Sequence, residues 1–187
     1  MDAFLAICHA IQPLSEPLRQ ALRELVQREE LPKRHQLLRS GQVAQRLYFL
    51  ETGVVRGFYL QDGKDMSSWF MKDGDFVISI LSFFSQQPSR EYVELLSESV
   101  VWSLTYAQLQ GLYHQFPEFN YVGRVLTEKY YVLSEQRALH LRLPSAAERY
   151  DQLLRDFPAM LQRVPLKHIA SHLGITPETV SRLRRRM

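Results

Sequence analysis

The C-terminal segment of residues 166–183 has the pattern of a helix-turn-helix motif. A short apolar helix is followed by Gly174, where the chain can turn, and by Thr176 and Pro177, which favour the start of a second helix. Small and apolar side chains recur where two closely crossing helices must bury them. They are Ile169, Ala170, Leu173, Ile175, Val180 and Leu183. The segment therefore predicts a domain that enters the major groove of DNA.

The second helix of the motif carries the side chains that would face DNA. We predict that Glu178, Ser181 and Arg182 contact base edges, because Arg182 can fork onto guanine and Glu178 can accept from a cytosine amino group. Other side chains suit phosphate oxygens, which set register and give salt-dependent affinity. They are Thr176, Thr179, Arg184, Arg185 and Arg186. A solvated chain end is the alternative interpretation of the arginine run.

Charge is distributed unevenly along the chain. Residues 1–140 contain 14 Lys/Arg and 16 Asp/Glu, whereas residues 141–187 contain 9 and 4, so the basic excess lies at the motif-bearing end. The single cysteine, Cys8, excludes an internal disulfide and a cysteine-rich metal site. The sequence has neither a signal-peptide pattern nor a run of about eighteen apolar residues, so we expect a cytoplasmic protein without membrane insertion.

The N-terminal part of the chain is predicted to form helices around a β-structure. Residues 14–31 have the spacing of an amphipathic helix capped by Ser15. Short alternating stretches separated by glycines then indicate an antiparallel β-sandwich or barrel. The predicted strands are 36–39, 46–50, 54–60, 66–71, 92–96 and 100–105, with the clearest hairpin turn at 61–64. A short helix is expected within residues 77–84.

Three further helices are predicted between the β-structure and the motif, at residues 106–115, 118–140 and 145–156. The second is about six turns long, and its apolar residues recur at helical spacing. They are Val122, Leu126, Tyr130 and Leu133. These residues could cover the barrel, but the helix is longer than so small a barrel can cover. We therefore predict that they form a dimer interface.

The whole arrangement resembles the catabolite-activator and fumarate-nitrate-regulator (Crp/Fnr) family of bacterial transcription factors. The matching positions are Gly53 to Gly57 with Arg56, Gly63-Lys64, Lys72 to Phe76, and Ala170 to Arg182. The resemblance implies an α+β fold in three parts. These are an N-terminal antiparallel β-roll of the cyclic-nucleotide-binding, jelly-roll type with flanking helices (1–117), a long dimerisation helix (118–140) and a helix-turn-helix DNA-binding domain (141–187).

The resemblance also implies how such a protein works. It would be a homodimer that binds a two-fold symmetric operator in double-stranded DNA, with RNA polymerase as a further partner. Two recognition helices would enter successive major grooves about 34 Å apart. An effector would change the angle between the long helix and the DNA-binding domain at a hinge near residues 141–144.

Two residue pairs that hold cyclic AMP in the family are altered here. Members use a Gly-Glu pair for the ribose and an Arg-Ser pair for the cyclic phosphate, and the matching positions are Ile78-Ser79 and Ser89-Arg90. Ser79 lacks the carboxylate acceptor, Ile78 blocks the close approach that glycine allows, and Arg90 is displaced by one residue. We expect these four residues to line an effector pocket that does not bind cyclic AMP in the usual way. No cofactor is expected, and any effector is an unidentified small molecule.

Two other interpretations of the β-roll are open. It could have lost its ligand and serve only for dimerisation or protein interaction, if large side chains fill the cavity. The same side chains could instead line an apolar pocket for another molecule. They are Ile78, Ile80, Leu81, Phe83 and Phe84.

A β-barrel enzyme of the cupin type would need two or three histidines and a carboxylate that converge on a metal ion. Of the six histidines only His35 lies near a predicted strand. His168 and His172 lie four residues apart on the first motif helix, where we expect a solvated face or phosphate contacts. We predict neither a metal site nor a catalytic site, and hence no enzyme.

Overall fold

The computed structural model describes residues 1–140 and 142–185, which form nine helices and eight strands. The helices are α1 (Asp2–Ile11), α2 (Glu16–Leu25), α3 (Ile80–Ser85), α4 (Tyr106–Gln115), α5 (Pro117–His140), α6 (Ala146–Asp156), α7 (Met160–Arg163), α8 (Leu166–Leu173) and α9 (Pro177–Arg184). The strands are β1 (Gln27–Leu31), β2 (Gln36–Leu38), β3 (Arg46–Thr52), β4 (Val54–Gln61), β5 (Lys64–Lys72), β6 (Phe76–Val77), β7 (Tyr92–Leu95) and β8 (Ser99–Thr105). Among these described residues, no helix combines the length and apolar character needed to span a lipid bilayer.

The eight strands form two antiparallel four-stranded sheets. Their strand orders are β1-β8-β3-β6 and β2-β7-β4-β5. The β4–β5 hairpin turns at Asp62 and Gly63, whose φ angles are 51° and 74°, and Gln61 pairs with Lys64. Two consecutive residues with positive φ suit the right-handed twist of a hairpin. The predicted turn and the six predicted strands are therefore confirmed, apart from shifts at their ends.

The predicted helix over residues 14–31 is wrong in its second half. Ser15 does cap α2, because its side chain accepts a hydrogen bond from the Leu18 amide at 3.4 Å, but the helix ends at Leu25. Residues Gln27–Leu31 instead pair with β8 as an edge strand whose side chains are mostly exposed. Pairing with a distant strand overrides the local helical spacing here. Helix α1 and strand β6 were also not predicted.

The core of the β-roll is closed by helices from both ends of the domain. Phe4 of α1 packs edge-on against Phe49 and Phe76, with ring centroids 5.8 and 5.9 Å apart. Leu18 and Leu22 of α2 are completely buried in the same core. The short helix expected within residues 77–84 starts only at Ile80, because Phe76 and Val77 pair with β3.

The long helix α5 packs against its own β-roll, and this corrects the assignment of Val122 and Tyr130 to a dimer interface. Val122 is fully buried and Tyr130 is 8% exposed. The Tyr130 hydroxyl accepts a hydrogen bond from the Phe76 amide at 2.7 Å. Leu126 and Leu133 are half-buried against the same core. The helix does cover the β-roll, and it does so with the very residues expected to meet a second subunit.

The C-terminal helices α6 to α9 surround a second apolar core. Ser145 and Glu148 form a reciprocal capping box at the start of α6. Tyr150, Met160 and Ile169 supply large buried side chains. This core also includes Val54 of β4, so the C-terminal domain packs directly against the β-roll. Leu141, at the predicted hinge, lies outside the described residues.

Candidate nucleic-acid interface and sensor cavity

Helices α8 and α9 are joined by a tight turn at Gly174. Its φ of 66° lies in the left-handed region, where glycine meets no steric penalty. The Ile175 amide donates to the Ala170 carbonyl at 3.0 Å, and the Thr176 side chain caps α9 by accepting from the Thr179 amide at 3.3 Å. The buried seam contains Ile169, Ala170, Leu173 and Val180, with Ile175 and Leu183 partly buried beside them. The predicted helix-turn-helix is confirmed.

Two of the three predicted base-contacting residues lie on the exposed surface of α9. Glu178 and Arg182 are exposed, while Ser181 is half-buried. The Arg182 guanidinium donates to the Thr179 hydroxyl at 3.0 Å. The pKa of Glu178 is lowered, first by a hydrogen bond from its own backbone amide and then by the Thr176 hydroxyl and Arg182. The ionised Glu178 carboxylate therefore lies in the first turn of α9, and the Arg182 guanidinium lies in its last turn.

The residues predicted to contact phosphate differ in their exposure and in their hydrogen bonds within the protein. Arg184 and Arg185 are exposed, whereas Arg186 lies outside the described residues. The Thr176 and Thr179 hydroxyl oxygens lie 3.2 Å apart, and the first already serves as the cap of α9. These two threonines therefore hold the helix start in shape besides any contact with DNA.

The four residues predicted for an effector pocket all line one cavity of about 990 Å³ between the β-roll and α5. Ser79 and Ser89 are buried, and their hydroxyl oxygens lie 3.4 Å apart. Arg90 is exposed. The apolar segment that follows does not fill the cavity, because Leu81 is 81% and Phe84 50% exposed to solvent.

Sequence reasoning missed Glu91, which brings a half-buried carboxylate to this cavity. Its oxygen accepts a hydrogen bond from the Trp69 indole at 3.2 Å, and its backbone is clasped by the Ser89 hydroxyl. Burial raises the pKa of Glu91, against the opposing effects of hydrogen bonds from Ser79 and Trp69 and of the charge on Arg137. The cavity therefore has a carboxyl group directly beside Ser89 and Arg90, the two positions that match the phosphate-binding pair of the family.

Trp69 of β5 lines the cavity of about 990 Å³, and its indole ring packs over Gly57 of the neighbouring strand β4. A Cβ atom at Gly57 would stand 2.1 Å from the indole ring, so the two strands tolerate no side chain there. Arg137 of α5 enters the same cavity, and burial lowers the pKa of its guanidinium. The cavity thus has an aromatic wall, one carboxylate (Glu91) and two arginine side chains (Arg90 and Arg137).

The chain is similar to known proteins both in its β-roll sequence and in its whole fold. Residues 28–116 match the family model of the cyclic nucleotide-binding domain. CLP of Xanthomonas campestris, described as a c-di-GMP responsive global regulator, is 18% identical over 92% of this chain and 91% of its own, with a TM-score of 0.71. The chain has the Crp/Fnr fold.

Two further solved structures share this Crp/Fnr fold. FixK2 of Bradyrhizobium japonicum is 21% identical over 87% of this chain and 84% of its own, with a TM-score of 0.72. A protein from Eubacterium rectale, described as a transcriptional regulator of the Crp/Fnr family, is 16% identical over 92% and 83%, with a TM-score of 0.70. CLP and the Eubacterium rectale protein are both described as regulators. No curated protein sequence matches the chain significantly.

In this Crp/Fnr fold, the first motif helix is held against the β4–β5 hairpin by a buried arginine. Arg56 is 3% exposed and donates to Asp65 at 2.6 and 2.8 Å and to Glu94 at 2.7 to 2.8 Å. Its guanidinium also lies 2.7 Å from the ring Nδ1 of His168 on α8. The sequence contained Arg56 only as part of a glycine-flanked motif and gave no sign of a link between the domains.

The two histidines of α8 face the protein and not the solvent, which corrects the expected solvated face. His168 is 6% exposed, and burial, followed by the charge of Arg56, lowers its pKa to about 4. The His172 ring lies 3.2 Å from the Ser67 carbonyl and edge-on to Phe70. Burial lowers the pKa of His172 as well. Both rings are therefore neutral at pH 7, and neither is free for a phosphate.

Two further polar links join the domains. Ser171 of α8 donates to the Asp65 carbonyl at 2.7 Å and accepts from the Ser67 amide at 2.8 Å. Arg163 forms an ion pair with Asp73 and donates to the Gly53 carbonyl at 2.8 Å. One face of the motif is thus occupied by the β-roll, and the exposed side of α9 is left for an outside partner.

Proposed function

We propose that this protein is a sequence-specific DNA-binding transcriptional regulator of the Crp/Fnr type that acts as a homodimer. The observation that carries the proposal is the exposed, charged side of α9 on a helix-turn-helix whose first helix packs against the β-roll. Glu178 and Arg182 stand on that side of the helix that enters the groove in such motifs. The adjacent Arg184 and Arg185 supply positive charge for phosphates.

The outer face of α5 offers a dimer contact in place of the buried residues. Tyr121, Val125, Val132 and Leu139 follow one another at intervals of four and seven, which is the spacing of a coiled-coil seam. Tyr121 is 44%, Val132 52% and Leu139 59% exposed in the single subunit. We infer that a second copy of α5 covers them. Double replacement with Val132→Glu and Leu139→Glu should convert the dimer to a monomer in sedimentation velocity, whereas Gln20→Glu, at an exposed position of α2, should not.

The β-roll cavity supports an effector other than cyclic AMP. A cyclic phosphate placed beside Ser79 and Ser89 would meet the Glu91 carboxylate, and the two hydroxyls are already engaged with each other or with Glu91. Placing two negative charges together in a half-buried site is unfavourable. Calorimetric titration with cyclic AMP should therefore show no binding at micromolar concentrations. The alternative function, a constitutive DNA binder, finds less support because the cavity is open.

Selection of genomic fragments by the purified protein tests the main proposal. The expected result is a two-fold symmetric sequence whose half-sites are centred about one helical turn, or 34 Å, apart. Arg182→Ala should relax the preference at one base pair of that sequence while still binding DNA at low salt. Enrichment of no common sequence by the wild-type protein would contradict the proposal.

A further inference from the structure

A separate cavity of about 350 Å³ lies beneath helix α5. Its walls include Cys8 of α1, Leu109 of α4 and Leu126 of α5. At its rim, Ile80 of α3 and Thr127 of α5 are exposed to solvent. The space therefore communicates with the outside between α3 and α5. It shares Phe76, Ile78, Ile80, Tyr130 and Ser134 with the glutamate-bearing cavity described above, but not the charged side chains of that cavity.

The lining of this cavity carries no Asp, Glu, Lys, Arg or His among the residues that the structure describes. In contrast, the cavity of about 990 Å³ contains Arg90, Glu91 and Arg137. Five hydroxyl-bearing side chains line the smaller cavity, and two of these hydroxyl groups form hydrogen bonds to the backbone. Tyr130 accepts from the Phe76 amide at 2.7 Å, and Thr127 donates to the carbonyl of Gly123 at 2.8 Å. A charged group would lose its water here without gaining a counter-charge.

The size of the cavity limits the ligand further. Since a water molecule occupies about 30 Å³ in the liquid, the space holds on the order of ten to twelve non-hydrogen groups. Small-molecule sites are concave, mostly apolar and of about 300–1,000 Å³, so this cavity lies at the lower end of that range. Apolar surface buried on both the ligand and the lining would supply the binding free energy.

We propose that the cavity bounded by Cys8, Leu109 and Leu126 is a binding site for one uncharged, apolar small molecule, such as a medium-chain alcohol or a monocyclic aromatic compound. This site is independent of the DNA-binding proposal, because its occupancy is measured without DNA. Its ligand class also differs from that of the larger cavity, which carries the charged side chains of Arg90, Glu91 and Arg137.

The test is isothermal titration of the full chain with 1-decanol, and with decanoate as a charged probe of the same chain length. The wild-type protein should bind 1-decanol saturably at one molecule per chain. Decanoate at neutral pH should bind at least about tenfold more weakly, which corresponds to about 1.4 kcal/mol. Absence of saturable 1-decanol binding, including the case in which a second subunit already fills the space, overturns the proposal. Equal or tighter binding of decanoate overturns it too.

Two variants locate the binding site. Leu126→Trp places an indole in the cavity, and Thr127→Phe places a ring at its exposed rim, where folding is least affected. Each should weaken 1-decanol binding by about tenfold or more. Gln115→Trp, which adds the same indole at an exposed position of α4 outside the lining, should leave it unchanged. If the Leu126→Trp protein does not fold, as judged by circular dichroism, Thr127→Phe decides. Unweakened binding by Thr127→Phe contradicts the assignment.

Discussion

The two helices of the motif are similar in length, but polar residues of α8 face the β-roll whereas those of α9 face solvent. On α8, His168 and Ser171 point into the chain's own β4–β5 hairpin and are satisfied there. On α9, Glu178 and Arg182 face solvent and contact only their own helix. The difference teaches that polar residues of one motif divide between contacts inside the protein and exposure to solvent, where we propose that they meet DNA. Burial, and not residue type, separates the two roles.

The largest effect in this comparison is expected on the inward side, at Arg56. Arg56→Met keeps much of the side-chain stem but leaves the Asp65 and Glu94 carboxylates without their partner. Breaking a buried ion pair from one side costs about 3–5 kcal/mol, so urea unfolding should show a loss of that order. Arg28→Met, which removes an exposed pair with Glu30, is the control and should cost less than about 1 kcal/mol. Equal losses would show that the buried network of Arg56 stabilises the fold no more than an exposed ion pair does.

The next effect concerns pH. Burial in the folded protein disfavours the protonated form of His168 and lowers its pKa from 6.5 to about 4. Between pH 4 and pH 6.5 the unfolded chain therefore binds more protons than the folded protein. Stability is therefore full above pH 6.5 and decreases as the pH falls toward 4, by about 2–3 kcal/mol in total. His168→Gln should flatten this part of the pH profile in thermal unfolding. The exposed His114→Gln serves as the control, and an unchanged slope in the His168 variant would refute the assignment.

On the outward side, the effect should appear in DNA binding and not in stability. Arg182→Ala should cost about 1–3 kcal/mol of operator affinity and relax specificity at one base pair. Arg185→Ala should instead weaken binding to all sequences alike and reduce the salt slope by about one. Fluorescence anisotropy with the operator and with unrelated DNA, over a range of salt, separates them. Identical behaviour of both variants would erase the distinction between base reader and phosphate contact.

The smallest expected effect is at the turn between the two helices. Gly174→Ala places a side chain at a φ of 66° and should destabilise the domain by about 1 kcal/mol. Gly111→Ala within α4, where a Cβ has open space around it, should stabilise the protein by about 0.5–1 kcal/mol. Chemical unfolding measures both. A change of the same sign in the two variants would show that turn geometry is not what Gly174 provides.

The sequence predicted those parts of the fold that depend on local rules. The Gly174 turn, the Thr176 cap and the Asp62-Gly63 hairpin follow from backbone preferences of single residues, and each is present in the structure. The strand at residues 27–31 could not be found this way, because only its pairing with β8 makes it a strand. Local spacing carries no information about such a distant partner.

The same limit explains the errors at the candidate sites. The residues Val122 and Tyr130 have the spacing of a packed helix face, but spacing does not say whether the neighbour is the same chain or a second one. Likewise, Arg56 and His168 are 112 positions apart in the sequence, and their contact arises only when α8 docks on the hairpin. Glu91 was not predicted as a site residue because it follows directly after Ser89 and Arg90 and matches no position of the family's cyclic-phosphate pair.

The central claim is that α9 reads the major groove while α8 holds it in place. Methylation interference on an operator selected from the genome tests this most directly, because methylation at guanine N7 blocks the major-groove edge that Arg182 would contact. The account predicts two groups of interfering guanines, related by two-fold symmetry and about 34 Å apart, which disappear with Arg182→Ala. Binding that is indifferent to N7 methylation in both half-sites would contradict it.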